Sequence, residues 1–220
     1  MQVRDAGAKE DLVIWLIFCL SALGPLFALP AFEAAAVSRY GSDAWLWVGM
    51  LFVPVVLLAL VAIPFLAVLS AVRSTRRYSC PVLVASILLI AASWAGNHLG
   101  NGLRMNAFAR LGERSRPLVE AIEAYAADRG EPPDKLQELV PKYLPAVPGT
   151  GMRACPEYEY RKKDDPEKWG YGSNPWVLTV QTPSGGINWD EFMYFPLRDY
   201  PEHGYGGSLE RLGDWAYLHE

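Results

Sequence analysis

The sequence predicts three transmembrane helices followed by an α+β domain, in which an N-terminal helix packs on a small antiparallel sheet. Three observations carry this. Leu12–Phe32, Ala44–Val72 and Tyr78–Leu103 hold no charged residue. A bilayer core of roughly 30 Å needs about 20 apolar residues in a helix, and each stretch is long enough. Beyond them, short aromatic and β-branched runs alternate with turn residues, as strands do. The expected division is residues 1–103 for the membrane region and 104–220 for an extracytoplasmic domain.

The first stretch follows Arg4 and Lys9, but Asp5, Glu10 and Asp11 offset them. It exceeds a signal-peptide core, and Pro30 spoils the Ala-Leu-Pro-Ala-Phe site, so it reads as a retained anchor. The second contains Leu51-Phe-Val-Pro-Val-Val-Leu-Leu-Ala-Leu-Val-Ala-Ile, which has no polar face. In lipid every backbone polar group must be satisfied within the segment, so all three are helices, with kinks expected at Pro25, Pro54 and Pro64. Arg73, Arg76 and Arg77 crowd the loop between the second and third helices, and Arg4 and Lys9 share that side. The positive-inside rule makes it cytoplasmic. Trp45, Trp47 and Trp94 then fall near the outer interface. Arg104, Arg110, Arg114 and Arg116 oppose this orientation, but they head a long domain, and long domains translocate largely regardless of charge.

Asn97-His-Leu-Gly-Asn-Gly-Leu-Arg marks the exit from lipid. Leu118, Ile122 and Tyr125 then repeat at helical spacing, with Pro117 in the first turn and Ser115 as expected N-cap. Gly130 ends the helix, and Pro132 and Pro133 forbid continuation. Asp134 is expected to cap a short helix over Lys135–Val140. Strands are expected at Tyr158–Arg161, Trp176–Thr182, Phe192–Phe195 and Trp215–Leu218. Asp164-Asp-Pro, Pro183-Ser-Gly-Gly and Gly204-Tyr-Gly-Gly read as turns. A fragment beginning near Leu103 is expected to fold alone.

Residues about 117–148, with Tyr125-Ala-Ala-Asp-Arg-Gly130 followed by Pro133 and Leu136, resemble type II secretion pseudopilins and pilin-like proteins. The resemblance implies a helix ended by a left-handed glycine, a Leu-rich turn and an antiparallel sheet. It makes Tyr125, Gly130, Pro133 and Leu136 structural: Tyr125 would pack onto the sheet. The peptidase site of such families is not matched, and two extra helices precede the similar segment. Processing into a pilus is therefore not expected. The same local pattern also occurs in bacterial multi-pass membrane proteins.

No catalytic signature is legible, so the chain is expected not to be an enzyme. Net charge is −4, and no basic tract suggests nucleic acid. Cys155 is the domain's one cysteine, with no nearby histidine, and reads as a packed side chain. Cys19 and Cys80 belong to the helices. Asp190 and Glu191 are adjacent on a strand and point to opposite faces, a poor acid–base pair. Asp164, Asp165 and Glu167 lack calcium-loop spacing, though some pseudopilins hold calcium in C-terminal loops. His203 and His219 lack a zinc frame. Gly204–Gly207 is no phosphate cradle, and Asn97 and His98 read as a helix end. No cofactor or metal is expected. The aromatic load is the unusual feature. Most of it is expected in the core, and Trp169, Trp189, Tyr171 and Tyr205 form a candidate binding face. The expected partners are the lipid bilayer and a protein of the cell envelope, with docking at the inner (plasma) membrane of a bacterium as the favoured role. A tethered small-molecule or glycan sensory module is the alternative. A membrane enzyme or transporter is disfavoured, because His98 is the only ionisable residue other than cysteine or tyrosine in the apolar stretches.

Overall fold

The computed structural model describes residues 2–164, 170–183 and 189–220, with side chains from residue 11 onward. Among the described residues, six α-helices precede a six-stranded sheet. They are α1 (Gln2–Ala22), α2 (Gly24–Ala36), α3 (Ala44–Met50), α4 (Phe52–Ala71), α5 (Arg76–Arg114) and α6 (Arg116–Arg129). Among the described residues, three helical segments are long and apolar enough to cross a membrane: Asp11–Ala36, Ala44–Ala71 and Arg76–Arg129. The first two are interrupted at Leu23 and Leu51, two and three residues before Pro25 and Pro54. Proline lacks an N–H and crowds the preceding turn, so the helix breaks just ahead of it. Pro30, Pro64 and Pro81 lie inside helices.

The chain divides into two compact units. One holds Met1–Ala34 and Trp47–Leu103. Within it, α2 and α5 approach closely at Gly96 and Gly100, which are buried. A Cβ on Gly96 would lie 2.4 Å from the Pro25 carbonyl oxygen, and one on Gly100 2.8 Å from Glu33 Cγ. With buried Ala92 they make a small-residue stripe every fourth position, which lets helix backbones touch. Asp11 pairs with Arg77 at 2.5 Å, tying α1 to the start of α5.

The other unit holds Ala35–Leu46 and Arg104–Glu220. Ala35–Leu46 joins this unit from the loop after α2, and Val37 belongs to the same buried cluster as the sheet. A fragment beginning at Leu103 would therefore lack part of that core. Strands β1 (Glu159–Lys162), β2 (Trp176–Gln181), β3 (Glu191–Tyr194), β4 (His203–Gly204), β5 (Gly207–Leu212) and β6 (Trp215–His219) form one antiparallel sheet, ordered β1-β2-β3-β6-β5-β4. Side chains alternate between its faces. Trp176, Leu178, Val180, Phe192, Tyr194, Trp215 and Tyr217 share a cluster with Phe108 and Leu111 of α5 and Leu118 and Ile122 of α6. Val177, Met193, Phe195 and Leu218 form the second cluster, covered by Tyr171, Tyr200, Tyr205 and Leu209.

Several local expectations are corrected. β4 and β5 add to the four expected strands, and Gly204-Tyr-Gly-Gly is the hairpin joining them. Tyr205 and Gly206 both have positive φ, 57° and 98°, as a type I′ turn requires. Ser115 does not cap α6. Its backbone is helical, and its hydroxyl donates to the Leu111 carbonyl at 2.7 Å and lies 2.8 Å from the Tyr158 hydroxyl. Asp134 caps nothing either. The turn after it is a 3-10 helix, Leu136–Leu139, and its carboxylate takes the Lys162 ammonium at 2.6 Å.

Gly130 ends α6 at φ 84°, its N–H donating to the Ala126 carbonyl at 2.9 Å. A Cβ there would meet nothing within 4 Å, so only backbone strain opposes a side chain. Gly130→Val should cost on the order of 1–2 kcal/mol through that strain. A thermal melt unchanged by the substitution would contradict it.

Candidate functional site

Three of the four aromatic residues of the expected binding face are described, and two of them meet. Trp169 lies outside the described residues. Trp189 is 67% exposed, just ahead of β3. Tyr171 and Tyr205 come together, stacked at 5.5 Å, and both set their rings edge-on to buried Phe195. Phe195 stacks in turn on Tyr200 at 4.6 Å. The Arg161 guanidinium lies over Tyr171 and hydrogen-bonds its hydroxyl. These half-buried rings roof the outer face of the sheet. Burial raises the pKa of the Tyr171, Tyr200 and Tyr205 phenols.

The structural residues of the pilin-like segment cluster around the end of α6. Tyr125 is half-buried. Its ring lies 5.5 Å from Tyr143, and its hydroxyl donates to Glu138 at 2.7 Å. These contacts are with the segment following the helix. Pro133 is buried and its carbonyl accepts the Tyr160 hydroxyl at 2.7 Å, while Leu136 enters the main cluster.

An open cleft of about 210 Å³ lies where α5 gives way to α6. Gly112, Glu113, Arg116, Val119, Glu120 and Glu123 line one wall. Tyr194, Arg198 and the β5–β6 turn, Leu212 to Trp215, line the other. Gly112 shapes its floor, because a Cβ there would stand 3.0 Å from Trp215 Cδ1. On the rim Arg116 pairs with Glu113 at 2.7 Å and Arg198 with Asp214 at 3.1 Å. Glu120 and Glu123 have no ion-pair partner among the described residues, so acid is in excess. The Tyr194 phenol is raised chiefly by burial and next by Glu123, against a lowering by Arg198.

A polar network anchors the C-terminal strand. Tyr217, fully buried, donates its hydroxyl to Asp190 at 3.0 Å. It also receives Arg104 at 3.0 Å and contacts Thr182 at 3.1 Å. Burial is the main cause of a phenol pKa pushed up to about 12. The other Asp190 oxygen accepts the Glu220 N–H at 3.0 Å. Glu191 instead takes the Gln181 amide at 2.6 Å, so the adjacent carboxylates serve separate bonds.

The remaining candidates are dispersed. His219 pairs with Glu210 at 2.9 Å, and His203 is exposed. His98 stacks on Trp94 at 5.9 Å. Of the candidate calcium residues, Asp165 and Glu167 lie outside the described residues. Among the described residues no three His, Cys, Asp or Glu side chains gather as a metal site. Cys155 is buried, its sulfur 3.8 Å from the Met152 sulfur, and burial pushes its thiol up to about 11. A raised acid pKa favours the folded state fully below the usual value of 9, and the contribution is lost as pH rises toward 11. The thiolate is the nucleophile, so folded Cys155 should resist maleimide at pH 8 and react on denaturation. Rapid labelling of the folded Cys19→Ser/Cys80→Ser chain would contradict this.

Comparison of the chain with protein-family models, with curated proteins and with solved structures finds no match.

Proposed function

We propose that this chain is a non-enzymatic, three-span protein of the bacterial inner membrane, with a cytoplasmic N-terminus. It presents a pilin-like domain outside the cytoplasm for docking to an envelope or secretion partner. The observation that carries the reading is the exposure of the apolar helices. Only 11% and 6% of the most apolar windows of Asp11–Ala36 and Ala44–Ala71 are buried within the chain. Phe27, Leu58, Phe65 and Val68 are each about 70% exposed. Leaving such side chains in water forfeits roughly 1.5–3 kcal/mol apiece, which lipid recovers.

The membership of Ala35–Leu46 in the same compact unit as Arg104–Glu220 supports the topology. Three consecutive spans put the first loop and the C-terminal domain on one side, and one folded unit needs them there. The arginine loop then faces the cytoplasm. Left-handed Gly130, the Leu136–Leu139 turn and the antiparallel sheet support the pilin-like reading. The open acidic cleft over Trp215 supports docking, since a charged rim around an aromatic floor suits a protein segment.

A photo-crosslinking residue at Glu123, in intact cells, tests the docking reading. A discrete adduct from Glu123 and none from the exposed Glu157 is expected. No adduct, or equal adducts from both, would contradict it. A tethered small-molecule or glycan module is the second reading, favoured by the Tyr171–Tyr205 stack. In that case Tyr171→Ala, and not a change in the cleft, would abolish function.

A further inference from the structure

The turn between α4 and α5 carries Arg73, Arg76 and Arg77 within five residues. It is held in a fixed shape. The Val72 N–H donates to the Leu69 carbonyl at 3.2 Å, and the Thr75 and Arg76 N–H groups donate to the Val72 carbonyl at 3.2 and 3.0 Å. The Thr75 hydroxyl donates to the Leu69 carbonyl at 2.6 Å, closing the end of α4. Arg77 is engaged by Asp11 and lies over the Tyr78 ring. Arg73 and Arg76 are exposed, with no carboxylate or hydrogen-bond partner among the described residues. Their neighbours are apolar and outward: Val68 is 69% exposed, Val72 46% and Tyr78 60%.

Two guanidinium groups with no partner among the described residues thus stand where an apolar helix gives way to a polar turn. On the membrane reading above, on which this inference rests, that step lies at headgroup depth. Arginine keeps its stem along apolar surface while its head reaches polar groups. Its planar fork matches phosphate oxygens bidentately. The cytoplasmic leaflet is negatively charged, and each basic residue near it strengthens attraction about fivefold. We propose that Arg73 and Arg76 together hold the phosphate of an anionic phospholipid, so that this turn selects acidic lipid around the protein.

The test uses the full chain reconstituted into phosphatidylcholine bilayers with spin-labelled phosphatidylglycerol or phosphatidylcholine as probe. Wild type should enrich the anionic probe in the motionally restricted fraction. Arg73→Gln/Arg76→Gln should weaken that preference by up to about 30-fold, two steps of about fivefold. Arg73→Lys/Arg76→Lys should retain much of it, and added salt should reduce it. Equal restriction of both probes by wild type, or an unchanged preference in the Gln variant, would overturn the proposal. So would loss of the preference to inorganic phosphate at constant ionic strength, which would make the turn a free-anion site. Failure to restrict either probe would instead show that the chain is not embedded, and both readings would fall.

Discussion

Trp215→Ala should cost about 3–5 kcal/mol, the range for a large aromatic truncated in a core. Trp215 is 3% exposed and stacked on Phe192 at 4.7 Å and 11°. Tyr194 and Tyr158 close around it, at 5.3 and 6.5 Å. The surrounding rings are rigid and cannot collapse into the space left. Folded units have only about 5–15 kcal/mol in total, so much of this unit's stability would go. A fall in Tm on the order of 10–20 °C follows for a unit of this size. Trp189→Ala is the control: its side chain is 67% exposed, and a change within about 0.5 kcal/mol is expected. Circular dichroism melts of the full chain in detergent would measure both. Equal shifts for the two variants would contradict the placement of Trp215 at the centre of the sheet's buried face.

Gly96→Val and Gly102→Ala should act in opposite directions. A Cβ on Gly96 would meet only backbone: the Pro25 oxygen at 2.4 Å, its carbon at 3.1 Å and Leu26 Cα at 3.2 Å. None of these can swing aside, so α2 and α5 must separate. Overpacking of this kind costs about 1–3 kcal/mol, and loss of the helix contact adds to it. A Cβ on Gly102 would meet nothing within 4 Å. There the gain in helix propensity should dominate, about 0.5–1 kcal/mol of stabilisation. Unfolding of the full chain by SDS, followed by helicity, would register the two signs. A tolerated Gly96→Val would show that the helices do not meet at this glycine.

Legibility in the sequence depends on range. The three apolar helices need only composition, because a run such as Leu51–Ile63 has no polar face to hide. β2 and β6 announce themselves through Trp176-Val-Leu-Thr-Val and Trp215-Ala-Tyr-Leu, apolar and aromatic runs that suit a sheet buried on both faces. β5 does not, since Gly-Ser-Leu-Glu-Arg-Leu is half-exposed and charged, and β4 has two residues. The stripe Ala92, Gly96 and Gly100 is visible as spacing, but spacing alone does not say that α2 is what it meets. Long-range pairings carry no local signal. Arg104 meets Tyr217 across 113 positions, and Asp134 prefers Lys162 to a capping role. Tyr171 and Tyr205 can be grouped as loop aromatics from the sequence, but their stacking over the sheet's outer face carries no local signal. The attachment of Val37 to the C-terminal unit is likewise beyond any pattern in the residues themselves.

The central claim is topological: Ala35–Leu46 and the domain on one side of the membrane, Arg73–Arg77 on the other. Paired fusions at Glu220 measure it most directly, one to alkaline phosphatase and one to a fluorescent protein that matures only in the cytoplasm. The account predicts an active phosphatase and a dark fluorophore. A fluorescent C-terminal fusion with inactive phosphatase would contradict it, reversing the orientation and removing the envelope-facing role with it.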